Sequence, residues 1–290
     1  MLTSKSKVTM FDGLVVWLKA EDFTEPLLHN PSLRFETSLF EDSGEITRYI
    51  AELKGIKIFI YPSGLVKLKG SIHKYANHGV HNFDQFTFKR LALAIYQLSS
   101  ELKFDLDKAV VHSFEFGLNL ITQFNPTEYF SSLISYKGKQ FNNYDVGDGK
   151  QCLLDKYIVK IYDKGKQYSC GSNILRIEVK VLKMAAVKLG IVYLKDLLNI
   201  EVWQRCMEHL LEVLDALIIF EKLNTDLSGV PKEVYIKGAN PENWKKENIT
   251  PNGRNKLKAK FNQVIRDYGI NQYHQTVNDL TKYHFDCLIC

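Results

Sequence analysis

The sequence of 290 residues lacks the features that membrane, secreted and fibrous proteins need. No apolar run approaches the roughly 20 residues that span a bilayer, because charged side chains interrupt every candidate. The N-terminal residues contain no apolar stretch of the kind that forms a secretory signal. The five cysteines are odd in number and dispersed, which favours reduced thiols over a disulfide framework. We therefore expect a globular protein of the cytoplasm with no membrane partner.

The chain does have enough apolar material for a core, together with a small excess of basic residues. Hydrophobic types make up 45% of the residues and charged types 24%, which excludes disorder. The net charge is +5, and residues 240–268 hold seven bases and three acids. A concentrated basic segment suits a polyanion such as nucleic acid. A solvated helix face is the other interpretation, and charge alone does not choose between the two.

The first two thirds of the chain are patterned as strands. Residues 55–75 form a hairpin, in which two β-rich runs flank a turn at 62–64. A helix with apolar residues at helical spacing follows over 86–104, and Asn125 caps a short helix further on. Residues 137–150 are polar and contain glycine, so a loop is expected there.

The last third is patterned as helices. From about Leu182 the apolar spacing becomes helical, with one or two long helices over 194–223. Thr250 is placed to cap a further helix that ends near Gly269.

These patterns predict an α+β fold. We expect an antiparallel sheet carrying the active site on one face with helices on the other, plus a helical basic C-terminal region. The expected division is a sheet-rich catalytic domain over residues 1–181 and a helical region with a DNA-binding tail over 182–290.

Three predicted strands have one apolar face and one face that mixes acids, cations and hydroxyl groups. Alternation of side chains separates the two faces of each strand. If the strands share a sheet, one surface collects their polar residues: Ser113, Glu115 and Asn119 from the first, Lys160, Tyr162 and Lys164 from the second, and Arg176, Glu178 and Lys180 from the third. An ordinary half-solvated sheet with cross-strand ion pairs would show the same alternation.

The residue types on this surface suit chemistry on phosphate esters. Carboxylates such as those of Glu115 and Glu178 bind Mg²⁺ or Mn²⁺, which polarise a phosphate as Lewis acids. A tyrosine can attack phosphorus and form a covalent intermediate. Since the ordinary pKa of a phenol is about 10, a neighbouring cation is needed to favour the phenolate. Lys164 is placed to supply it to Tyr162.

Four segments resemble, in this order and spacing, the filamentous-phage gene II/gene X family of rolling-circle replication initiators, and related plasmid initiators. They are VKLKGSIHKY (66–75), SFEFGLN (113–119), YIVKIYDKGKQ (157–167) and LRIEVKV (175–181). Proteins of that family nick one strand at a replication origin with a divalent metal. They become linked to the 5′ phosphate through a tyrosine and later rejoin the displaced strand.

The resemblance implies roles for individual residues. Tyr162, in the YDK segment, would be the nucleophile and Lys164 its cationic helper. Glu115 and Glu178 would be the ligands of Mg²⁺ or Mn²⁺. Arg176 would clamp a phosphate, because its planar guanidinium matches phosphate oxygens.

DNA contacts are expected from basic and polar residues on and beside these strands, where they would position a DNA strand without reading its sequence. The expected residues are Lys69, Ser71, His73, Lys74, Lys160, Arg176 and Lys180.

Two departures leave alternatives open. Ser113 stands where the family has an arginine and Glu115 where it has an aspartate, so a protein that binds nucleic acid and acts by occupancy without cleavage is the alternative function. A non-catalytic scaffold that uses the helices over 194–223 is a third possibility.

Tyr157 is the second candidate for the nucleophile. It lies near Tyr162 but on the opposite strand face by alternation, and a β-bulge between them would undo the ranking of Tyr162 above Tyr157.

Two smaller clusters suggest metal sites only weakly. The histidines His73, His78 and His81 match no zinc spacing, and the pair Cys287 and Cys290 has no second pair of ligands.

The predicted function is therefore initiation of rolling-circle replication of a phage or plasmid by metal-dependent DNA nicking and strand transfer. The expected partners are origin DNA in single-stranded or hairpin form and, beyond it, host helicase or replication proteins.

Overall fold

The computed structural model describes residues 11–19, 27–40, 44–84, 86–144, 148–221 and 226–289, with side chains described through residue 285. The fold is mixed α+β, with 40% helix, 31% strand and a large antiparallel sheet. This confirms the predicted fold class. The placement of the active site on one face of the sheet and of helices on the other stays a prediction.

The elements follow one another along the chain with short connections. The strands are β1 (Phe11–Lys19), β2 (Glu36–Leu39), β3 (Ile46–Leu53), β4 (Ile56–Ile60), β5 (Leu65–Ser71), β6 (Val110–Ile121), β7 (Leu133–Tyr136), β8 (Lys139–Gln140), β9 (Asn142–Tyr144), β10 (Gly149–Leu153), β11 (Tyr157–Asp163), β12 (Ile174–Val181) and β13 (Leu217–Ile219). The helices are α1 (Ile72–Ala76), α2 (Phe88–Leu102), α3 (Pro126–Ser131), α4 (Lys164–Gln167), α5 (Met184–Val187), α6 (Ile200–Ala216), α7 (Gly229–Ala239), α8 (Pro251–Asp267) and α9 (Gln272–Ile289), with 3₁₀ turns at Leu194–Leu198 and Pro241–Trp244.

The chain forms two compact units, each assembled from separate segments. The first contains Met1–Leu118, Asp155–Tyr157 and Val179–Met207, and the second contains Asn119–Leu154, Ile158–Glu178 and Glu208–Cys290. The predicted division at residue 181 separates a catalytic domain from a DNA-binding region by their functions, and it stays a prediction.

The first unit is built on antiparallel strands in the order β2-β3-β4-β5-β1-β6. Its hairpin of β4 and β5 turns at residues 62–64, as predicted. Alternation along β1 buries Leu14, Val16 and Leu18, and helix α2 buries its apolar stripe. This burial leaves the other face of β1 and β5 to polar and aromatic side chains.

The second unit contains the strands β12-β11-β10-β9 as neighbours in that order and a separate sheet ordered β13-β7-β8. Two sequence predictions fail here. The expected loop over 137–150 contains β8, β9 and the start of β10. The run Leu217–Ile219, expected to be helical, forms β13 and pairs with β7, because its apolar residues complete a buried sheet.

Helix α8 begins and ends where its capping residues predict. The Thr250 hydroxyl accepts a hydrogen bond from the Gly253 backbone N–H, and Pro251 occupies the first turn. Gly269 follows the end of α8 with a positive φ of 63°. The apolar side of α8 joins a cluster of buried residues: Ile134, Ile218, Leu227, Tyr235, Trp244, Leu257, Phe261 and Val264. The basic helix is thus part of the core of the second unit.

Across the described ranges, no helix combines the length and the apolar character that crossing a membrane requires.

Candidate functional site

The residues of the candidate site lie on β11 and β12 and on the turn after β11, all within the second unit. Strand β11 pairs with β10 in continuous register from Ile158 to Tyr162, without a bulge. Side chains therefore alternate along this stretch, and Val159 and Ile161 are buried on the side opposite Lys160 and Tyr162. The ranking of Tyr162 above Tyr157 depends on this alternation.

The Tyr162 hydroxyl lies between an ammonium and a carboxylate. Lys164 Nζ donates to the Tyr162 oxygen at 3.4 Å, and Tyr162 in turn donates to Glu178 Oε2 at 3.5 Å. Both contacts are long for hydrogen bonds. The side chain of Tyr162 is 3% exposed, so it points into a buried polar cluster and not into hydrocarbon.

Glu178 is the centre of this cluster. Lys160 Nζ donates to its Oε1 at 2.8 Å, and Arg176 Nε donates to its Oε2 at 3.2 Å. Burial acts to raise the pKa of the Glu178 carboxyl, but the charges of Lys160, Arg176 and Lys164 outweigh burial and hold that pKa well below its ordinary value. Glu178 is therefore ionised at neutral pH.

Arg176 is fully buried and links the carboxylate to an amide. Its Nη1 donates to Asn119 Oδ1 at 3.2 Å while its Nε contacts Glu178. A buried guanidinium held from two sides has a fixed orientation.

Aromatic rings cover the two lysines. Lys160 Nζ lies 5.5 Å from the ring centre of Tyr144, and Lys164 Nζ lies 5.5 Å from that of Tyr168. The Tyr144 and Tyr162 rings lie 5.2 Å apart between centres. These rings limit the directions from which a ligand could reach the Tyr162 hydroxyl.

Two glycines bring the backbone close to the site. Gly149 stands directly opposite Tyr162 in the β10–β11 pair, and a Cβ there would lie 2.6 Å from the Ile161 carbonyl oxygen and 2.7 Å from Tyr162 Cα. Gly165 follows Lys164 where β11 passes into α4, and a Cβ there would overlap the Ser172 carbonyl oxygen. Only glycine allows these approaches without a shift of the backbone.

The cluster has the composition of a site for an anion. Three cations, Lys160, Lys164 and Arg176, surround one carboxylate and one phenol. A phosphate diester would add one negative charge beside cations that outnumber Glu178. The arrangement places cations next to a tyrosine oxygen, and all five of these side chains are buried.

Glu115, the other predicted metal ligand, belongs to the first unit. It forms an ion pair of 2.9 Å with Lys180, itself one of the predicted DNA contacts. Ser113 donates to the Val181 carbonyl at 2.6 Å in the same unit. Glu115 and Glu178 offer the oxygen ligands that Mg²⁺ and Mn²⁺ prefer, but each carboxylate already contacts a lysine ammonium. A divalent cation would have to compete with Lys180 or Lys160 for these oxygens.

The predicted DNA-contact segment around β5 and α1 is partly buried. The Ser71 hydroxyl caps α1 at Lys74 N and also donates to Asp12. His73 is fully buried, stacks on the Phe86 ring and contacts Asp84 through Nε2 at 2.6 Å. Its side chain thus has no surface for a phosphate in this structure, whereas contacts by Lys69 and Lys74 stay a prediction.

Two of the three histidines of this segment contact the same acid. His73 and His81 both contact Asp84, which also accepts from Arg90 Nη1 at 2.8 Å. No group of three or more His, Cys, Asp or Glu in the described part of the chain could hold a metal ion. The pair Cys287 and Cys290 lies outside the described side chains.

Sequence reasoning missed several members of the site. Asn119 was placed on the polar face of its strand by alternation but had no role until Arg176 was seen to contact it. Tyr144 and Gly149 lie in the segment predicted to be a loop, so their contacts with Lys160 and Tyr162 depend on strand pairing that the sequence pattern did not show.

No protein-family model matches this chain, and no curated protein matches it either.

Proposed function

We propose that the protein initiates rolling-circle replication of a phage or plasmid by nicking origin DNA and transferring the cut strand through a covalent bond to Tyr162. The reaction is metal-dependent, with Mg²⁺ or Mn²⁺. The substrate is origin DNA in single-stranded or hairpin form, the host replication machinery then extends the free 3′ end, and the site of action is the cytoplasm.

One observation supports this proposal above the others: the Tyr162 oxygen is in contact with Lys164 and lies in a cluster where cations outnumber carboxylates. The proton that the Tyr162 hydroxyl donates to Glu178 has to leave before the oxygen attacks, and the Lys164 ammonium would stabilise the negative oxygen that remains. The same cations would stabilise the additional charge that the phosphate develops as the bond forms.

The proposed step is a transesterification that balances without an oxidant or reductant. The Tyr162 oxygen forms a bond to phosphorus and loses its proton to a neighbouring base or to water. The bond from phosphorus to the 3′ oxygen breaks, and that oxygen leaves as a hydroxyl after taking up a proton. Because one phosphoester replaces another, the bond energy is retained for rejoining.

The proposal includes a divalent metal because the side chains that would bind it are carboxylates, whose oxygens Mg²⁺ and Mn²⁺ prefer. Glu178 would supply a carboxylate oxygen once Lys160 releases it, and Glu115 is the second predicted ligand. A bound divalent ion would supply Lewis-acid polarisation of the scissile phosphate. Arg176, whose guanidinium is held by Asn119 and Glu178, would orient the phosphate by donating hydrogen bonds to its oxygens.

The experiment that tests the proposal detects the covalent adduct. Purified protein is incubated with Mg²⁺ or Mn²⁺ and a supercoiled plasmid that carries the origin of its own replicon. Nicking should yield DNA whose 5′ end stays attached to protein after denaturation, and Tyr162→Phe should abolish the adduct because no attacking oxygen remains at that position. Gel mobility before and after protease treatment measures it.

Tyr157→Phe is the matched control, since it removes the same oxygen from the neighbouring tyrosine of the same strand. It should leave the adduct in place. An adduct that persists in Tyr162→Phe and disappears in Tyr157→Phe would reassign the nucleophile. Absence of any adduct with both metals would reject the enzymatic proposal.

A second candidate function is supported by the burial of the cluster. Tyr162 is almost completely buried, and Glu178 is held by two cations, as in a structural ion-pair network. A protein that binds origin DNA and acts by occupancy would show this arrangement without cleavage. It predicts tight, salt-sensitive binding and no adduct, so the same assay separates the two functions.

A further inference from the structure

The sheet of the first unit has a face that combines basic and aromatic side chains. On β1, β3, β4 and β5, alternation buries one set of side chains and leaves the other set outward. The outward set includes the residues that we call the basic–aromatic face: Trp17, Arg48, Lys57, Phe59, Lys67 and Lys69. The register of the strand pairs places these side chains on the same face of the sheet, since Lys67 stands opposite both Trp17 and Phe59.

Cations on this face lie over its rings. Lys67 Nζ is 5.3 Å from the ring centre of Trp17 and 5.9 Å from that of Phe59, and Arg48 lies 5.5 Å from Phe59. Such alternation of ring and cation is the arrangement that binds single strands, where bases stack on rings and phosphates meet cations.

Two lysines on the face stand directly opposite each other. Lys57 on β4 pairs in register with Lys69 on β5, and both side chains are exposed. Within the described residues neither has an ion-pair partner, although Glu52 is the register neighbour of Lys57 on β3. Like charges directly opposite each other destabilise a sheet, and a phosphate bound between them would relieve that repulsion.

A cavity of about 600 Å³ opens beside Trp17 at one end of the face. His112 and Tyr193 line it, and its charged lining residues are Lys19, Lys108 and Asp107, whose carboxylate pairs with Lys195. The Trp17 indole N–H is buried and has no hydrogen-bond acceptor in the described part of the protein. A volume in the range of ligand sites, lined by the Trp17 ring, fits a nucleobase.

We infer that the basic–aromatic face binds single-stranded DNA, with one base in the cavity against Trp17 and the flanking phosphates on Lys67 and between Lys57 and Lys69. Duplex DNA does not fit this description, because its bases are stacked on one another and cannot reach the rings. The choice of DNA rests on the proposed function, and the inference adds to it a surface of the first unit that binds the strand.

Tryptophan fluorescence tests this surface directly. The chain has three tryptophans, and since Trp203 and Trp244 are buried, quenching by a short oligothymidine should report Trp17. Trp17→Ala should weaken binding by about 5- to 100-fold and abolish the quenching, because one stacked base loses its partner. Trp17→Phe should abolish the quenching but retain most of the affinity, measured by fluorescence anisotropy of labelled oligothymidine.

The double variant Lys57→Gln/Lys69→Gln tests the phosphate contacts without touching the packed indole. It should flatten the slope of log affinity against log salt by about 0.7, since one phosphate lies between the two lysines and each phosphate contact contributes about 0.7 for a single strand. Lys89→Gln, on the exposed side of α2, removes one lysine charge elsewhere in the first unit and should leave the slope unchanged.

The outcomes separate this inference from the proposed function. Wild-type affinity in both the Trp17→Ala and the double-lysine variants, or a preference for duplex over oligothymidine, would overturn the binding surface even if the Tyr162 adduct forms. Binding that depends on Trp17 in a protein that never forms an adduct would support the surface and reject the nicking reaction.

Discussion

Glu178→Gln should lower the free energy of unfolding by about 3–5 kcal/mol at neutral pH, as expected when one partner of a buried ion pair is removed. The change keeps the shape of the side chain but removes its charge. Lys160 and Arg176 would then remain buried without the carboxylate that they contact at 2.8 and 3.2 Å. Urea unfolding followed by circular dichroism measures the loss.

The same variant should change the dependence of stability on pH. Because the pKa of Glu178 is lower in the folded than in the unfolded protein, its contribution is fully present above the unfolded value of about 4.3. That contribution is lost as the pH falls toward the folded value. The wild-type and the glutamine variant should therefore differ most near neutral pH and converge in acid.

Glu115→Gln is the matched control, since it makes the same substitution on a glutamate whose lysine partner is partly exposed. It should cost about 0–1 kcal/mol. Equal losses in the two variants would contradict the description of Glu178 as the charge-balancing centre of a buried cluster. A gain in stability on Glu178→Gln would contradict the ion pairing itself.

Gly149→Ala should disrupt the site although every polar residue of the cluster stays in place. The new methyl would press on Tyr162 Cα and the Ile161 carbonyl oxygen, which are backbone atoms that cannot rotate away. Strand β10 must then shift from β11, at a cost of about 1–3 kcal/mol. If the proposed function holds, adduct formation should fall to a small fraction of wild-type, because the tyrosine moves relative to Lys164.

Gly253→Ala is the control for the general effect of adding a methyl group. The nearest atoms to its Cβ would be side-chain atoms of Ile249 and Thr250 at 3.1 Å, in the first turn of α8. Stability should therefore change little or rise, since alanine favours helix over glycine. A Gly149→Ala protein with wild-type stability and adduct yield would show that the two strands do not approach as closely as described.

The grouping of side chains on β11 and β12 was predictable because it depends on a period of two. Alternation placed Lys160 and Tyr162 on one face of β11, and Arg176 and Glu178 on one face of β12. The structure brings these four into one cluster. Lys164 was assigned to the same strand face but begins α4, and it reaches the Tyr162 oxygen from the turn.

Contacts that depend on pairing between distant segments were not predictable. Tyr144 and Gly149 reach the site only because β9 and β10 pair beside β11, and their segment has the polar composition of a loop. For the same reason the apolar run at Leu217–Ile219 resembled the end of a helix. Its strand form exists because β7 supplies a partner.

The sequence pattern also could not predict that the polar residue His73 is buried. His73 falls in a segment with lysine and serine neighbours, which suggested exposure. The structure encloses it because Asp84 satisfies its Nε2 and the Phe86 ring covers its face. Both partners come from later in the chain, and alternation along one strand contains no information about them.

The way in which α8 packs has a practical consequence for mapping by deletion. Leu257, Phe261 and Val264 come from the basic segment, yet they complete a core whose other members include Ile134 and Ile218. Truncation of the chain before residue 250 would remove these residues and expose the rest of the core. Weaker DNA binding by such a fragment would therefore reflect unfolding of the second unit and not the loss of a DNA contact. Charge reversal at Lys256 and Lys260, whose side chains face solvent, probes the segment while the scaffold stays whole.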